Sequence, residues 1–417
     1  MARVTFITPY FWPEVAANVP LVTTLSEDLA EAGHAVTIVT GAPNRNVDES
    51  TRRLYPSGRR HQELYHGCRV IRFPNPFSNR KGSLNKIAEG LTFMLWVAYA
   101  VLRLRRCTDV YFVYSNPPLL ALPVSILGGK RPLIYNLQDL FPDSALAAGL
   151  LSSDSPITRF LRSLEKATYR RCSVIAAISP LFTEHVCRLA PEARVEVLPN
   201  WIDTEQIRQV DPKDNTFRAS LGLRDEFVIL YAGNMGFAQN LDVVVDAAAL
   251  LRSHEGIRFV LVGDGQYRDR IEARVRSLGL TNVLMAPMQP QNLVPQVYST
   301  GDVGLVAVRR GQEKTSVPSK TWTIMACSRA VVACLGEDSY LARLLKQEEM
   351  GLVVSPEDPR QLADAILRLR SEPETLRRLS LRGRAYVEAN LSRHRVTSRY
   401  VRLVAELSSR HAPGLIH

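Results

Sequence analysis

At 417 residues the chain is longer than one ordinary core serves, so two domains of about 200 residues each are expected. With 46% hydrophobic and 22% charged residues the composition excludes a disordered chain, and the N-terminus, MARVTFITPYFWPE, reads as a first strand rather than a secretory leader. The net charge of +11 is concentrated in residues 45 to 106, where 13 Lys and Arg face four acids; no aromatic-basic stacking pattern accompanies them, so no nucleic-acid partner is expected. Six scattered cysteines without a Cys-x-x-Cys pair, and histidines without His-x-x-x-His spacing, read as reduced thiols in a cytoplasmic protein.

In chain order, β-rich runs fall at 3–9, 35–40, 68–73, 109–115, 132–137, 173–179 and 195–199, separated by helical patterns such as 19–33, which Gly33 closes. The stretch 45–106 ends in LTFMLWVAYAVLRLRR, an apolar block closed by arginines. Its apolar part, 91 to 102, is about 18 Å long as a helix, too short to cross a bilayer yet suited to lying on an anionic leaflet. The equal alternative is a core helix preceded by a solvated basic loop. Residues 200–225 lose apolar periodicity and read as a linker. A second series follows at 227–233, 257–263, 282–287, 302–308, 330–335 and 351–356, and a last helix over about 385–408 has no strand left to serve, so it is expected to cross back to the first domain.

Alternating strands and helices predict two parallel, doubly wound sheets facing a cleft at the carboxyl ends of their strands. Within the second, VILYAGNMGFAQN at 228–240 stops an apolar run at a turn carrying Gly233, Asn234 and Gly236, then enters a helical pattern. A strand feeding a helix through such a turn suits a phosphate.

The order of segments resembles the two-Rossmann-domain (GT-B) glycosyltransferases, specifically glycosyltransferase family 4 in its colanic-acid, O-antigen and exopolysaccharide branch. NLQDLFPDSALAAGLL at 136–151, AGNMGFAQNLDVVVDAAALL at 232–251 and SVPSKTWTIMACSRAVVA at 316–333 carry the resemblance, supported by EAGHAVTIVT, LPNWID and FVLVGDG. It implies an acceptor-binding domain over 1–203, joined by the C-terminal helix, and a nucleotide-sugar-binding domain over 204–384. It also implies transfer of a sugar, with retention, from a nucleotide diphosphate sugar to a lipid-linked or polysaccharide acceptor, by a cytoplasmic protein peripheral on the inner face of the membrane. A nucleotide-sugar epimerase of the same architecture and a non-catalytic nucleotide-sugar-binding relative are the alternatives.

On this resemblance Lys320 is the cation that holds the leaving diphosphate, helped by the first amides of the helix that Pro318 and Ser319 start. Gly233, Asn234, Gly236 and Gln239 form the phosphate turn, with Asn234 and Gln239 where many relatives carry Arg and Lys. Asp264 closes a strand beneath the nucleoside, and backbone around Met288 to Pro290, with Gln289, faces the base. Ser316, Ser319 and Thr323 complete the donor set. The family's Glu-x7-Glu pair should fall near Thr315 and at Thr323, where neither residue is acidic, which leaves Glu313 as the nearby acid. Asp139 is the candidate catalytic carboxylate, with Gln138 and Glu14 on the acceptor side. No Asp-x-Asp occurs, so no metal or other cofactor is expected.

Overall fold

The computed structural model describes residues 1–16, 18–44, 47–55, 59–77, 83–315 and 317–410. It separates into two compact units, Met1–Asn200 together with the C-terminal segment from His394, and Trp201–Arg393.

The first unit holds β1 (Arg3–Ile7), β2 (Ala35–Gly41), β3 (His61–Tyr65), β4 (Cys68–Phe73), β5 (Val110–Tyr114), β6 (Leu133–Leu137), β7 (Val174–Ala177) and β8 (Val195–Val197). Their order is β3-β4-β2-β1-β5-β6-β7-β8. Strands such as VYFVY in β5 and LIYNL in β6 are buried at every residue, as sheets covered on both faces require. All pairs are parallel except β3 with β4, joined by a His66–Gly67 turn with positive φ at both residues. This antiparallel edge corrects the expectation of a purely parallel sheet. HQELY alternates half-buried and exposed, a weak signal inside a charged stretch.

The connections after β4, β5, β6 and β7 all step in one direction along the sheet, whereas that after β1 steps the other way. With right-handed crossovers, helices Ser83–Leu104, Ala121–Leu127, Pro156–Arg171 and Pro180–Leu189 therefore cover one face, and Val19–Glu31 covers the other. The Ser83–Leu104 helix has 22 residues, and the 18 from Ile87 to Leu104 are apolar enough, by length and composition, to cross a membrane. The expected 12-residue limit is thus overturned, because neither the polar residues at its start nor Gly90 ends the helix. It nevertheless packs on the domain through buried Phe93, Val97, Ala100 and Val101.

The second unit contains β9 (Phe227–Ala232), β10 (Ile257–Val262), β11 (Val283–Ala286), β12 (Val303–Ala307), β13 (Ala330–Cys334) and β14 (Gly351–Val354), all parallel in the order β11-β10-β9-β12-β13-β14. The order reverses between β9 and β12, which places a ligand crevice at their carboxyl ends. Two expectations change here. The stretch 200–225 is no slack linker: Asn215 caps the Thr216–Ser220 helix, and buried Arg218 donates to the carbonyls of Thr300, Arg224 and Glu226. The single helix expected over 385–408 is two, Pro373–Asn390 and Arg393–Ser409, and only the segment from His394 belongs with the first unit. They break where Ile202 bonds to the backbone of Leu391 and Arg393.

Candidate active site

At the end of β9 the chain turns at Gly233, φ +132°, whose amide donates to Val262 O at 2.9 Å. The loops after β9 and β10 interlock there. A Cβ at Gly263 would lie 1.9 Å from Gly233 O, and one at Gly265 2.5 Å from Met235 O, so both positions exclude any side chain. Gln239 Oε1 accepts from the Gly236 amide at 3.0 Å and from Asn234 Nδ2 at 3.3 Å, and Tyr231 Oη donates to Asn234 O at 2.5 Å. Asp264 accepts from the Gly265 amide at 2.7 Å through its side chain and from Met235 through its carbonyl. The helix does not follow directly from the glycine turn. A single 3-10 turn, Phe237–Gln239, and left-handed Asn240 precede Leu241–Leu250. The amides of Gly233, Met235, Gly236 and Gln239 are all engaged within the fold, so the turn offers fewer free donors than its sequence implies.

Lys320 supplies what the turn lacks. Its Nζ lies 3.6 Å from the Tyr231 ring centroid, in space that Gly233 leaves open; a Cβ at Gly233 would stand 3.3 Å from it. The stem of the residue is half-buried, but Nζ is sealed from solvent and has no hydrogen-bond partner among the described residues. Desolvation lowers its pKa from 10.5 to about 7. An amino group at the switch point, poised to take up a proton and with no counter-ion among the described residues, is matched to an incoming anion. Buried Gln312 Nε2, Glu313 Oε2 and Thr321 Oγ1, all within ten residues of Lys320 in sequence, also lack partners among the described residues, and such atoms are rare in folded proteins.

The other predicted donor residues are less committed. Lys320 opens the Lys320–Ala326 helix, but the amides of Thr321 and Trp322 already donate to Pro318 and Ser319, and Ser319 makes no side-chain cap. Thr323 sits within that helix, and Gln289 Nε2 donates to Pro287 O at 2.9 Å. Glu313 is 6% exposed, in the one-turn helix Gln312–Lys314. Ser316 lies outside the described residues. Tyr231, the platform under Lys320, is a residue that sequence reasoning missed, since an aromatic in an apolar strand looks like any core residue.

In the first unit, β6 delivers Gln138 and Asp139. Asp139 is exposed at the surface on one side and lines a small cavity with Ser115, Tyr135, Glu165 and Tyr169 on the other. Desolvation of its carboxyl pushes its pKa up to about 6. Asp139 caps no helix; the next one, Asp143–Ala147, is preceded by Pro142. The Gln138 side chain exchanges hydrogen bonds with Asn200 at 2.9 and 2.8 Å and also reaches Asn136. Glu14 is buried and accepts from the amides of Phe11 and Asn44, joining the loops after β1 and β2. Among the described residues, Asp143, Glu165 and His185 form the cluster with metal-ligand geometry, but the guanidinium of Arg162 already contacts both carboxylates.

Over residues 20–201 the chain matches the glycosyl transferase 4-like domain family, and over 226–372 glycosyl transferases group 1. The chain belongs to glycosyltransferase family 4. The transferase is 24% identical over 388 residues to the glycosyl transferase WcaI of Escherichia coli strain K12, named for colanic acid biosynthesis, covering 90% of this chain and 93% of that one. It is 23% identical to the alpha-D-kanosaminyltransferase of Streptomyces kanamyceticus, over 86% of this chain and 92% of that one. Among solved structures, sucrose-phosphate synthase of Thermosynechococcus elongatus superposes with a TM-score of 0.77 at 20% identity, covering 98% of the transferase and 100% of that chain. Anabaena HepE, solved with UDP and glucose, gives 0.72 at 16% identity, covering 97% and 100%. The transferase therefore has the GT-B fold, two Rossmann-like units in one chain.

Proposed function

We propose that the transferase moves a sugar from a nucleotide diphosphate sugar, with retention and without a metal, onto a lipid-linked or polysaccharide acceptor in cell-surface polysaccharide assembly. The carrying observation is Lys320, whose buried amino group at the carboxyl end of β9 has no hydrogen-bond partner among the described residues. As the glycosidic bond breaks, the leaving diphosphate gains negative charge, and a preorganised cation in a water-excluded site stabilises that change strongly. The neighbours solved with UDP and the WcaI name support the donor and the pathway. On the acceptor side, Asp139 is ionised at neutral pH, and we assign it to hold the attacking hydroxyl or accept its proton.

The membrane reading rests on the outer face of the Ser83–Leu104 helix. Ile87, Leu91, Leu95, Tyr99 and Leu102 form an exposed stripe at helical spacing, with Leu95 72% exposed, on the side away from Phe93 and Val97. A helix apolar all round asks for cover on both sides. Helices on the same sheet face add exposed Ile126, Ile157 and Phe160, and exposed Arg103, Arg105, Arg106, Lys130, Arg159 and Lys166 lie on or beside these helices. Arg80 and Lys81, part of the basic stretch in the sequence, lie outside the described residues. An anionic leaflet matches both features, and a cytoplasmic protein resting on it meets an acceptor presented there.

The missing acids at Thr315 and Thr323 favour a second reading, a relative that binds a nucleotide sugar without turning it over. Incubation with a panel of nucleotide sugars, followed by thermal shift and nucleoside diphosphate release, separates the readings. Release with retained anomeric configuration supports transfer. Stabilisation without turnover supports the second reading, and interconversion of the sugars supports an epimerase.

A further inference from the structure

We infer that the Asp139 carboxylate is set in place by two separate clamps, and that Arg162 and Tyr400 are positioning residues acting through them. The inference rests on the assignment of Asp139 to the acceptor hydroxyl. Between Asn136 and Asp143, the other polar side chains are tied down, whereas Asp139 has no hydrogen bond among the described residues.

The first clamp precedes Asp139. Asn136, fully buried, donates to Tyr400 Oη at 2.7 Å and accepts from Gln138 Nε2. Gln138 in turn exchanges two bonds with Asn200, and its amide donates to Ser115 Oγ at 2.8 Å. Both ends of the Gln138 amide are used, so it acts as a strut and not as an acceptor ligand. Tyr400 arrives from the Arg393–Ser409 helix, 264 residues away, with its ring 5.6 Å from that of Phe112.

The second clamp follows Asp139. Arg162 grips Asp143 with two bonds, 2.5 and 2.9 Å, and reaches Glu165 at 3.1 Å. Glu165 accepts from Tyr169 at 2.9 Å and pairs with His185 at 2.8 Å, while His185 lies 3.7 Å from Asp143. A divalent ion among Asp143, Glu165 and His185 would stand against the guanidinium, so the cluster reads as a closed ion network. Glu165 and Asp139 line the same cavity, so the network borders the space that Asp139 faces. The charged and titratable groups concerned are Asp143, Arg162, Glu165 and His185, contributed by three successive helices, with Tyr135 and Tyr169 beside Asp139 in the cavity.

The test compares Arg162→Gln, Arg162→Lys and Tyr400→Phe for kcat, donor KM and the pH profile of kcat. Removing the Arg162 cation raises the pKa of a nearby carboxylate, so Arg162→Gln should move the acid limb up by about half a pH unit or more. Its kcat should fall about tenfold with donor KM within about twofold, the pattern of a misplaced group. Tyr400→Phe should lower kcat about threefold or more and leave the acid limb in place, since no charge is removed. Arg162→Lys should restore the limb but not the full rate. If Arg162→Gln does not fold, the limb and rate of Arg162→Lys and Tyr400→Phe decide. Wild-type rates and limb in folded variants overturn the inference. Asp139→Asn is the separate control: wild-type turnover there overturns the role of Asp139 itself, whereas an inactive Asp139→Asn beside unaffected clamp variants overturns only the clamps.

Discussion

Replacing Lys320 with Met should make the donor-free protein more stable and far less active. Burial lowers the pKa of Lys320 from 10.5 in the unfolded chain to about 7. The folded state therefore binds fewer protons between those values, and stability rises with pH across that window. At about 1.36 kcal/mol per unit, charging this buried group costs about 4 kcal/mol at pH 7 and about 2 kcal/mol at pH 9. Methionine keeps the apolar stem and sheds the charge, so a gain of about 2 to 4 kcal/mol at pH 7 should raise the melting temperature by about 5 °C or more. Turnover should fall by about two to three orders of magnitude, as for loss of one preorganised charge stabiliser. Thermal denaturation without donor at pH 7 and pH 9, beside donor hydrolysis rates, reads both effects. A variant less stable than wild type at pH 7, or a stability gain that does not shrink by pH 9, refutes the buried unpaired ammonium.

Chelator should leave activity intact, because the proposal sets the Lys320 cation and not a carboxylate-held metal against the diphosphate; loss restored by magnesium or manganese would contradict this. Wild type should sediment with anionic liposomes and be released as salt rises, since the Debye length shrinks from about 10 Å at 0.1 M to about 3 Å at 1 M. Replacing Arg103, Arg105 and Arg106 with Gln, or Leu95→Glu, should weaken binding and activity on lipid-linked acceptor while sparing donor hydrolysis; unchanged sedimentation speaks against the membrane face. Gly263→Ala should disable donor binding, because its Cβ would overlap Gly233 O at 1.9 Å, and an unaffected titration would show that the two loops move apart freely. Activity should fall as pH drops through about 6, where Asp139 protonates, and a flat profile down to pH 5 would remove its role.

The buried parallel strands were legible because each is a short apolar run between turn residues; Lys320 is singled out by the motif around it, and the structure sets its Nζ beside Gly233 and Tyr231. Features set by partners distant in sequence were not. β3 is an edge strand whose alternation is masked by a charged stretch, and the Ser83–Leu104 helix starts among polar residues that hid its length. Nothing local in the sequence pairs Gln138 with Asn200 or Asn136 with Tyr400, 62 and 264 residues apart. The phosphate turn reads from sequence as a row of free amides, whereas the interlocked glycines of β9 and β10 consume several of them. The proposed donor site therefore rests more on one side-chain cation than the sequence implies.

Calorimetric titration of the transferase with UDP, GDP and ADP at pH 8, in two buffers of different ionisation enthalpy, tests that conclusion most directly. With a pKa of about 7, Lys320 is mostly neutral in the free protein at pH 8, so binding a diphosphate should take up about 0.9 of a proton. At least one of these ligands should bind wild type at a single site with that uptake, and Lys320→Met should lose both the proton and most of the affinity. Equal affinity and equal proton uptake in the two proteins, or no binding of any nucleoside diphosphate to wild type, would contradict the account.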